Sequence, residues 1–221
     1  MATNQEVGGS SPPKEANMAE IRLNFDLNFQ AGIWYGKTLL LSNYAVNANV
    51  ITNTKKPVDN ETAVERIRWF TNHVFHGSVF IEDNDQAQAD KLWAAGINVL
   101  QMPAPPNDQM ISLLMLTKLN AIVEGRVVLT DLSFSSNLSD GIRYMTDIED
   151  FMGPFIDKGW WSDSAIVWYD KTLHAKTDGA VTLPPVMTWT QLQLQWHENK
   201  NVRPRKGKSN VVSFSKNNDK K

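Results

Sequence analysis

Ile21-Arg22-Leu23-Asn24-Phe25-Asp26-Leu27-Asn28-Phe29 alternates apolar and polar residues without a break. A period of two sends side chains to opposite faces of an extended chain, so this stretch reads as a strand with one buried and one wet face. Gly32 and Gly36 then bracket Ile33-Trp34-Tyr35, which predicts a turn carrying exposed aromatics. Two more strands are expected near Thr38–Asn43 and Ala45–Thr52, followed by a basic loop, Asn53-Thr54-Lys55-Lys56-Pro57.

Helical spacing follows. Val64, Ile67, Phe70 and Val74 share one helical face, with Asp59 or Asn60 as cap and Gly77 as stop. Ser78–Glu82 reads as a strand, Asp85–Ala95 as a helix stopped by Gly96, and Ile97–Met102 as a strand. Such a strand–helix–strand unit predicts parallel pairing. Beyond the break Pro103-Ala104-Pro105-Pro106, Asp108–Glu124 is a long, very apolar helix ended by Gly125. A strand over Arg126–Ser135, a turn at Asn137–Asp140 and a helix over Asp147–Ile156 are expected next. Trp160-Trp161-Ser162-Asp163 is a loop leading into a strand at Ala165–Asp170, and Asp178-Gly179 signals a hairpin. Thr188-Trp189-Thr190-Gln191 matches a capping box for a helix over Trp189–Glu198, although Leu192, Leu194 and Trp196 also fit a strand. The sum is α+β, one domain over residues 21–198 with a mixed, mostly antiparallel sheet and several helices.

Composition bounds the rest. The chain has 221 residues, 42% hydrophobic and 21% charged, ordinary values for a globular protein with a packed core. The absence of cysteine excludes a disulfide framework and thiolate chemistry, and suits a reducing compartment such as the cytoplasm. No run of 18 apolar residues is present, so no membrane partner is expected, and residues 1–20 lack the apolar segment of a signal peptide. Residues 1–20 are rich in Gly, Ser, Pro and Asn and are expected to be disordered, as is a basic tail over residues 199–221. The formal net charge of −2 conceals a division. Eight of the 22 basic residues and one of the 24 acidic ones follow Glu198, which leaves 14 against 23 before it. The body is therefore about −9 and the tail about +7.

The cations Lys200, Arg203, Arg205, Lys206, Lys208 and Lys216 make the tail a candidate arm for a phosphate backbone. An acidic protein partner and a merely solubilising end are the competing readings. Val211-Val212-Ser213-Phe214 interrupts the tail and suits docking as an added strand. Trp34-Tyr35 beside Lys37, and Trp160-Trp161 beside Lys158, pair flat rings with cations, as single-stranded nucleic acid requires. The alternative is that both pairs are plugs over the sheet. Lys55 and Lys56 join the candidate set, and Arg22, Arg126, Arg143, Lys171 and Lys176 could line the same face.

Catalytic chemistry is poorly represented. Glu82, Asp83 and Asp85 sit at a strand's carboxyl end, where α/β enzymes often place acids, and Asp147, Glu149 and Asp150 form a second group. His73 and His76 are a possible ligand pair, while His174 and His197 stand apart. No phosphate-binding loop, zinc signature or nucleophile elbow completes these sets, so neither a cofactor nor a metal is expected.

In its size, in Trp34-Tyr35 and Trp160-Trp161, and in the Arg203-Pro204-Arg205-Lys206-Gly207-Lys208 cluster, the chain resembles the Drc-type single-stranded-DNA-binding RNA polymerase cofactors of podoviruses. That resemblance implies a fold distinct from oligonucleotide-binding barrels, single-stranded DNA as ligand and a phage RNA polymerase recruited to early promoters. A homo-oligomer is compatible with it. Two other classes remain open from sequence: a virion or assembly protein with tails that order on contact, and a metal-dependent nuclease or hydrolase built on Glu82, Asp83 and Asp85.

Overall fold

The computed structural model describes residues 21–149, 153–166 and 188–197. The two tails, the expected strand at Ala165–Asp170 from residue 167 on, and the expected hairpin at Asp178-Gly179 lie outside the described residues.

The alternating stretch becomes β1 (Arg22–Tyr35), paired antiparallel with β2 (Thr38–Thr52). Leu27, Phe29, Ala31 and Ile33 face inward while Asn24, Asp26, Asn28 and Gln30 face solvent, as the period requires. The expected turn at Gly32–Gly36 lies elsewhere. β1 runs straight through Gly32 to Tyr35, and Gly36 and Lys37 alone form the hairpin turn, with φ of 55° and 74°. Two successive left-handed residues give the mirror-image turn whose twist matches a two-residue hairpin. The pairing keeps one register from Arg22↔Ile51 to Tyr35↔Thr38, so β2 is one strand rather than the expected two.

α1 (Pro57–Phe70) starts at its proline, earlier than an Asp59 or Asn60 cap would place it, because a proline at the first helical position loses nothing by lacking an N–H. Wider π-type turns continue it over Thr71–Phe75 and carry Phe75 onto the sheet. Gly77, at φ 76°, ends it. β3 (Val79–Glu82), α2 (Gln86–Ala94) and β4 (Val99–Met102) form the expected parallel unit. α3 (Asp108–Val123) leads to β5 (Val127–Ser136). The expected helix at Asp147–Ile156 is instead β6 (Tyr144–Asp147) followed by a 3-10 turn at Gly153–Ile156. Thr146 explains the difference: its hydroxyl meets Ser112 of α3 at 2.7 Å, which seats the segment as a sheet edge beside β5.

The sheet is mixed and open, in the order β4-β3-β1-β2-β5-β6, with β1–β3 and β3–β4 parallel and the remaining pairs antiparallel. α1 and α3 cover one face. α2 covers only the β3–β4 end of the other, over a small cluster of Val79, Ile81, Ala89, Leu92 and Val99. The main core carries a row of rings across four strands. Phe134, Tyr44 and Phe29 follow one another at 5.3 and 4.8 Å, and Phe75 bridges Phe29 to Phe80 at 5.8 and 6.1 Å. Each buried ring contributes roughly 1.5–3 kcal/mol by leaving water.

α3 is the central support. Ile111, Leu114, Met115, Leu116, Leu119 and Ile122 are fully buried. The Asn107 side chain accepts the Met110 N–H at 2.9 Å and so caps the helix. Asn120 donates to the Leu129 carbonyl at 3.0 Å and accepts the Leu129 N–H at 2.9 Å, tying α3 to β5. Asn107→Ala removes the cap and is expected to cost about 1 kcal/mol, read as a lower urea midpoint with an unchanged slope.

Candidate nucleic-acid interface

The sequence-derived candidates fall into three separate places. At the hairpin tip, Tyr35 is 62% exposed and Lys37 is exposed beside it. Trp34 is only half-buried, but its ring packs on the α2 cluster and its indole N–H donates to Asp85 at 3.2 Å. Of that pair, Tyr35 alone offers an open ring.

At the opposite end of β2, Lys55 is exposed. Lys56 pairs with Asp59 at 3.8 Å and donates to the His197 carbonyl at 3.1 Å, while the His197 N–H donates to Asp59 at 3.4 Å. Arg126 joins this end, because its carbonyl accepts the N–H groups of Asn53 and Thr54.

At the third place, Lys158 is exposed but its aromatic neighbours serve the core. Trp161 is 9% exposed and its indole N–H donates to the Asp157 carbonyl at 2.9 Å. Trp160 packs against the core, and its indole N–H donates to the Gln101 carbonyl at 2.8 Å, on the edge strand β4. Trp161 is corrected from a stacking platform to a plug by its burial, and Trp160 is a half-buried ring with its polar edge engaged and Lys118 Nζ 5.6 Å from its centre. The tail cations Lys200, Arg203, Arg205, Lys206, Lys208 and Lys216 lie outside the described residues, as do Lys171 and Lys176.

Between the first two places lies the uncovered part of the sheet. Asn24, Asn47, Asn49, Asp26 and Asp131 form a ladder there. Asn24 donates to Asn47 and Asn49 at 2.8 Å, Asn47 to Asp26 at 2.9 Å, and Asn49 to Asp131 at 2.6 Å. A shallow depression of about 580 Å³ adjoins it, lined by Asp26, Asn28, Asn47, Ser133, Ser135 and Arg143 among others. The groups on offer are amides, hydroxyls, one guanidinium and the carboxylates of Asp26 and Asp131, both of which accept from asparagine side chains. Among the strand residues of this uncovered face none is aromatic, so it can form hydrogen bonds but cannot stack.

The acids at the end of β3 do not converge: Asp85 is held by Trp34, and Asp83 is exposed. His73 donates from Nδ1 to the Trp69 carbonyl at 2.9 Å and stacks on the Trp69 ring, whereas His76 Nδ1 accepts the Gln30 N–H at 3.3 Å. Among the described residues no three His, Asp or Glu side chains gather as a metal-ion set. No helix among them is long and apolar enough to cross a membrane.

Two cations that the sequence reading passed over organise the segments flanking these places. Lys118, fully buried in α3, donates to the carbonyls of Trp160, Asp163 and Ala165 at 2.8, 2.6 and 3.0 Å. Burial pulls its pKa down to about 7, and the Asp163 carboxylate opposes this. A lone lysine inside so apolar a helix was the available signal. Arg66, 2% exposed, donates to the Leu194 carbonyl at 2.7 Å, the Ile122 carbonyl at 2.9 Å and the Glu124 carboxylate at 3.0 Å. Its guanidinium lies 3.7 Å from the Trp196 ring centre and 4.6 Å from that of Trp189. Burial lowers its pKa and Glu124 raises it. The segment 188–197 owes its position to this contact. The Thr188/Gln191 capping box does form, with the Thr188 N–H donating to Gln191 at 2.8 Å, yet it opens only a turn rather than the expected helix or strand. The Arg66 bond to the Leu194 carbonyl lies just past that turn, and residues 194–197 continue as neither helix nor strand.

No known family model matches the chain, and no curated protein matches it. Among solved structures, an uncharacterized protein from Wolinella succinogenes aligns with 59% of this chain and 99% of its own, at 12% identity and a TM-score of 0.46.

Arg66→Lys keeps the charge but cannot reproduce the planar fork over Trp196. It is expected to cost about 2–3 kcal/mol in urea unfolding and to red-shift tryptophan emission. Lys118→Met leaves three carbonyls without a donor, at a cost of about 2–4 kcal/mol. The variant also reports the titration. Folded Lys118, near pKa 7, binds fewer protons than the unfolded chain up to the free-lysine value of 10.5. Wild-type stability, measured against Lys118→Met, is therefore expected to rise with pH above about 7 and to be flat below it.

Proposed function

We propose that this chain is a non-enzymatic protein that binds single-stranded nucleic acid, with DNA as the ligand its resemblance implies. The observation that carries the reading is the place where segment 188–197 is tied down. Lys56, Asp59 and Arg66 hold it at the end of the sheet where Lys55, Lys56 and Arg126 lie, with Lys56 paired to Asp59 and Arg66 to Glu124, so the eight basic residues after Glu198 follow a segment anchored beside cations on an acidic body. Opposite charge on the remaining surface disfavours phosphate elsewhere and directs a strand toward this end. Tyr35 and Lys37 supply a stacking ring and a cation at the hairpin tip, and the asparagine-rich face between offers hydrogen bonds to sugars and base edges. Recruitment of a phage RNA polymerase within the infected cell's cytoplasm rests on the resemblance, with the acidic body as the surface it would use.

A salt titration of binding to single-stranded DNA tests this. Changing Arg203, Arg205, Lys206 and Lys208 together to Gln is expected to reduce the log–log salt slope by about 3, as four lost phosphate contacts require. Tyr35→Ala is expected to weaken binding by about 1–3 kcal/mol with little change in slope. Absence of binding by the wild type at low salt sinks the reading.

A further inference from the structure

Sheet edges expose rows of N–H and C=O groups, and proteins ordinarily close them. Three edge positions here are closed by side chains. Asn120 takes both backbone groups of Leu129, and Trp160 takes the Gln101 carbonyl. Asn137 serves Asn43: its side-chain oxygen accepts the Asn43 N–H at 2.9 Å, and its own N–H donates to the Asn43 carbonyl at 3.2 Å.

The β2–β5 ladder ends at Tyr44↔Ser136, so among the described residues Thr38–Ser42 pairs as a strand with β1 alone. Backbone groups on an antiparallel strand point alternately to its two sides. Since those of Asn43 point away from β1, those of Leu39 and Leu41 do so as well, and no partner meets them among the described residues. The side chains there are apolar on both faces. Leu41 is 71% exposed, and Leu39 and Leu40 are 38% exposed each. Tyr35 lies across the hairpin, and exposed Leu138 and Ile142 flank the edge on the loop that Asn137 anchors.

We propose that this edge is the docking surface for a second copy of the chain, joined antiparallel about a two-fold axis through Leu40. The geometry selects the register. Both residues with outward backbone groups are used when Leu39 pairs with the second copy's Leu41 and Leu41 with its Leu39, which makes four hydrogen bonds. A register shifted toward Asn43 meets groups that Asn137 already occupies. Leu40 then faces its own counterpart on one side of the sheet, and Leu39 faces Leu41 on the other. Charge agrees with this choice. Lys37 is the single charged residue between Ile33 and Asn43, and in this register it lies outside the paired Leu39–Leu41 stretch. The two Lys37 side chains then stand about 20 Å apart, beyond the screening length at physiological salt. The chain's own Val211–Phe214 is a poorer occupant, because His197 is anchored at the far end of β2, roughly 36 Å of strand away from Leu41.

The cysteine-free sequence supplies the test, carried out on the full chain. In the proposed register the two Leu40 Cα atoms lie about 4.5 Å apart, within disulfide reach, whereas the two Thr38 positions do not. Leu40→Cys is expected to cross-link as a homodimer under mild oxidant at least roughly tenfold faster than Thr38→Cys. Light scattering at about 50 μM is expected to give twice the 24.9 kDa chain mass, and Leu41→Lys is expected to return 24.9 kDa. If Leu41→Lys fails to fold, the cross-linking ratio decides alone. A wild-type mass of 24.9 kDa at that concentration overturns the proposal. So does equal cross-linking of the two cysteine variants, the outcome expected if the tail or another protein covers this edge.

Discussion

The ring row under the sheet is the contact on which the rest depends. Phe134, Tyr44, Phe29, Phe75 and Phe80 come from β5, β2, β1, the π-type turns and β3, so one continuous packing joins strands far apart in sequence. The widened turns after α1 are part of it, because they set Phe75 between Phe29 and Phe80 and against Phe70 at 5.1 Å. α3 closes this layer from below, and its near-total burial leaves the wet face of β1 and β2 free of any structural duty beyond its own hydrogen bonds.

Two buried cations extend that core outward in different ways. Lys118 is a point charge that gathers three carbonyls of one loop. Arg66 is a plane that stacks on Trp196 while its edge bonds to Leu194 and Glu124. Both cost desolvation, and both return it only because every nearby acceptor is in place. Their common effect is to fasten non-regular chain that has no ladder of its own. The second of these fixes the point from which the basic tail begins, which is why the functional reading depends on a residue far from any candidate ligand.

Self-association at the Leu39–Leu41 edge and nucleic-acid binding along the hairpin meet at the tip, where Tyr35 and Lys37 stand beside that edge, whereas Lys55, Lys56 and Arg126 lie at the opposite end of β2. A second copy docked at the tip would set two acidic bodies side by side and bring the two Tyr35 rings near one interface.

Much of the fold was legible along the chain. Strict alternation from Ile21 to Phe29 determined β1 and its two faces, glycines at 77, 96 and 125 marked where elements stop, and the apolar run from Asp108 determined a buried helix. These are local constraints, set by backbone sterics and by the period with which side chains meet water. The charge division at Glu198 was equally plain, since it needs only counting. What tertiary structure decided was partnership. Nothing local distinguishes Trp161, which plugs the core, from Tyr35, which stands open, because burial of a ring depends on what the chain brings over it. Nothing local assigns Arg66 or Lys118 to the loop carbonyl oxygens of Leu194 and Trp160, 128 and 42 residues away. β6 was not legible for the same reason: Tyr144–Asp147 is too short to show a period, and it pairs as a strand because β5 and Ser112 are there to meet it.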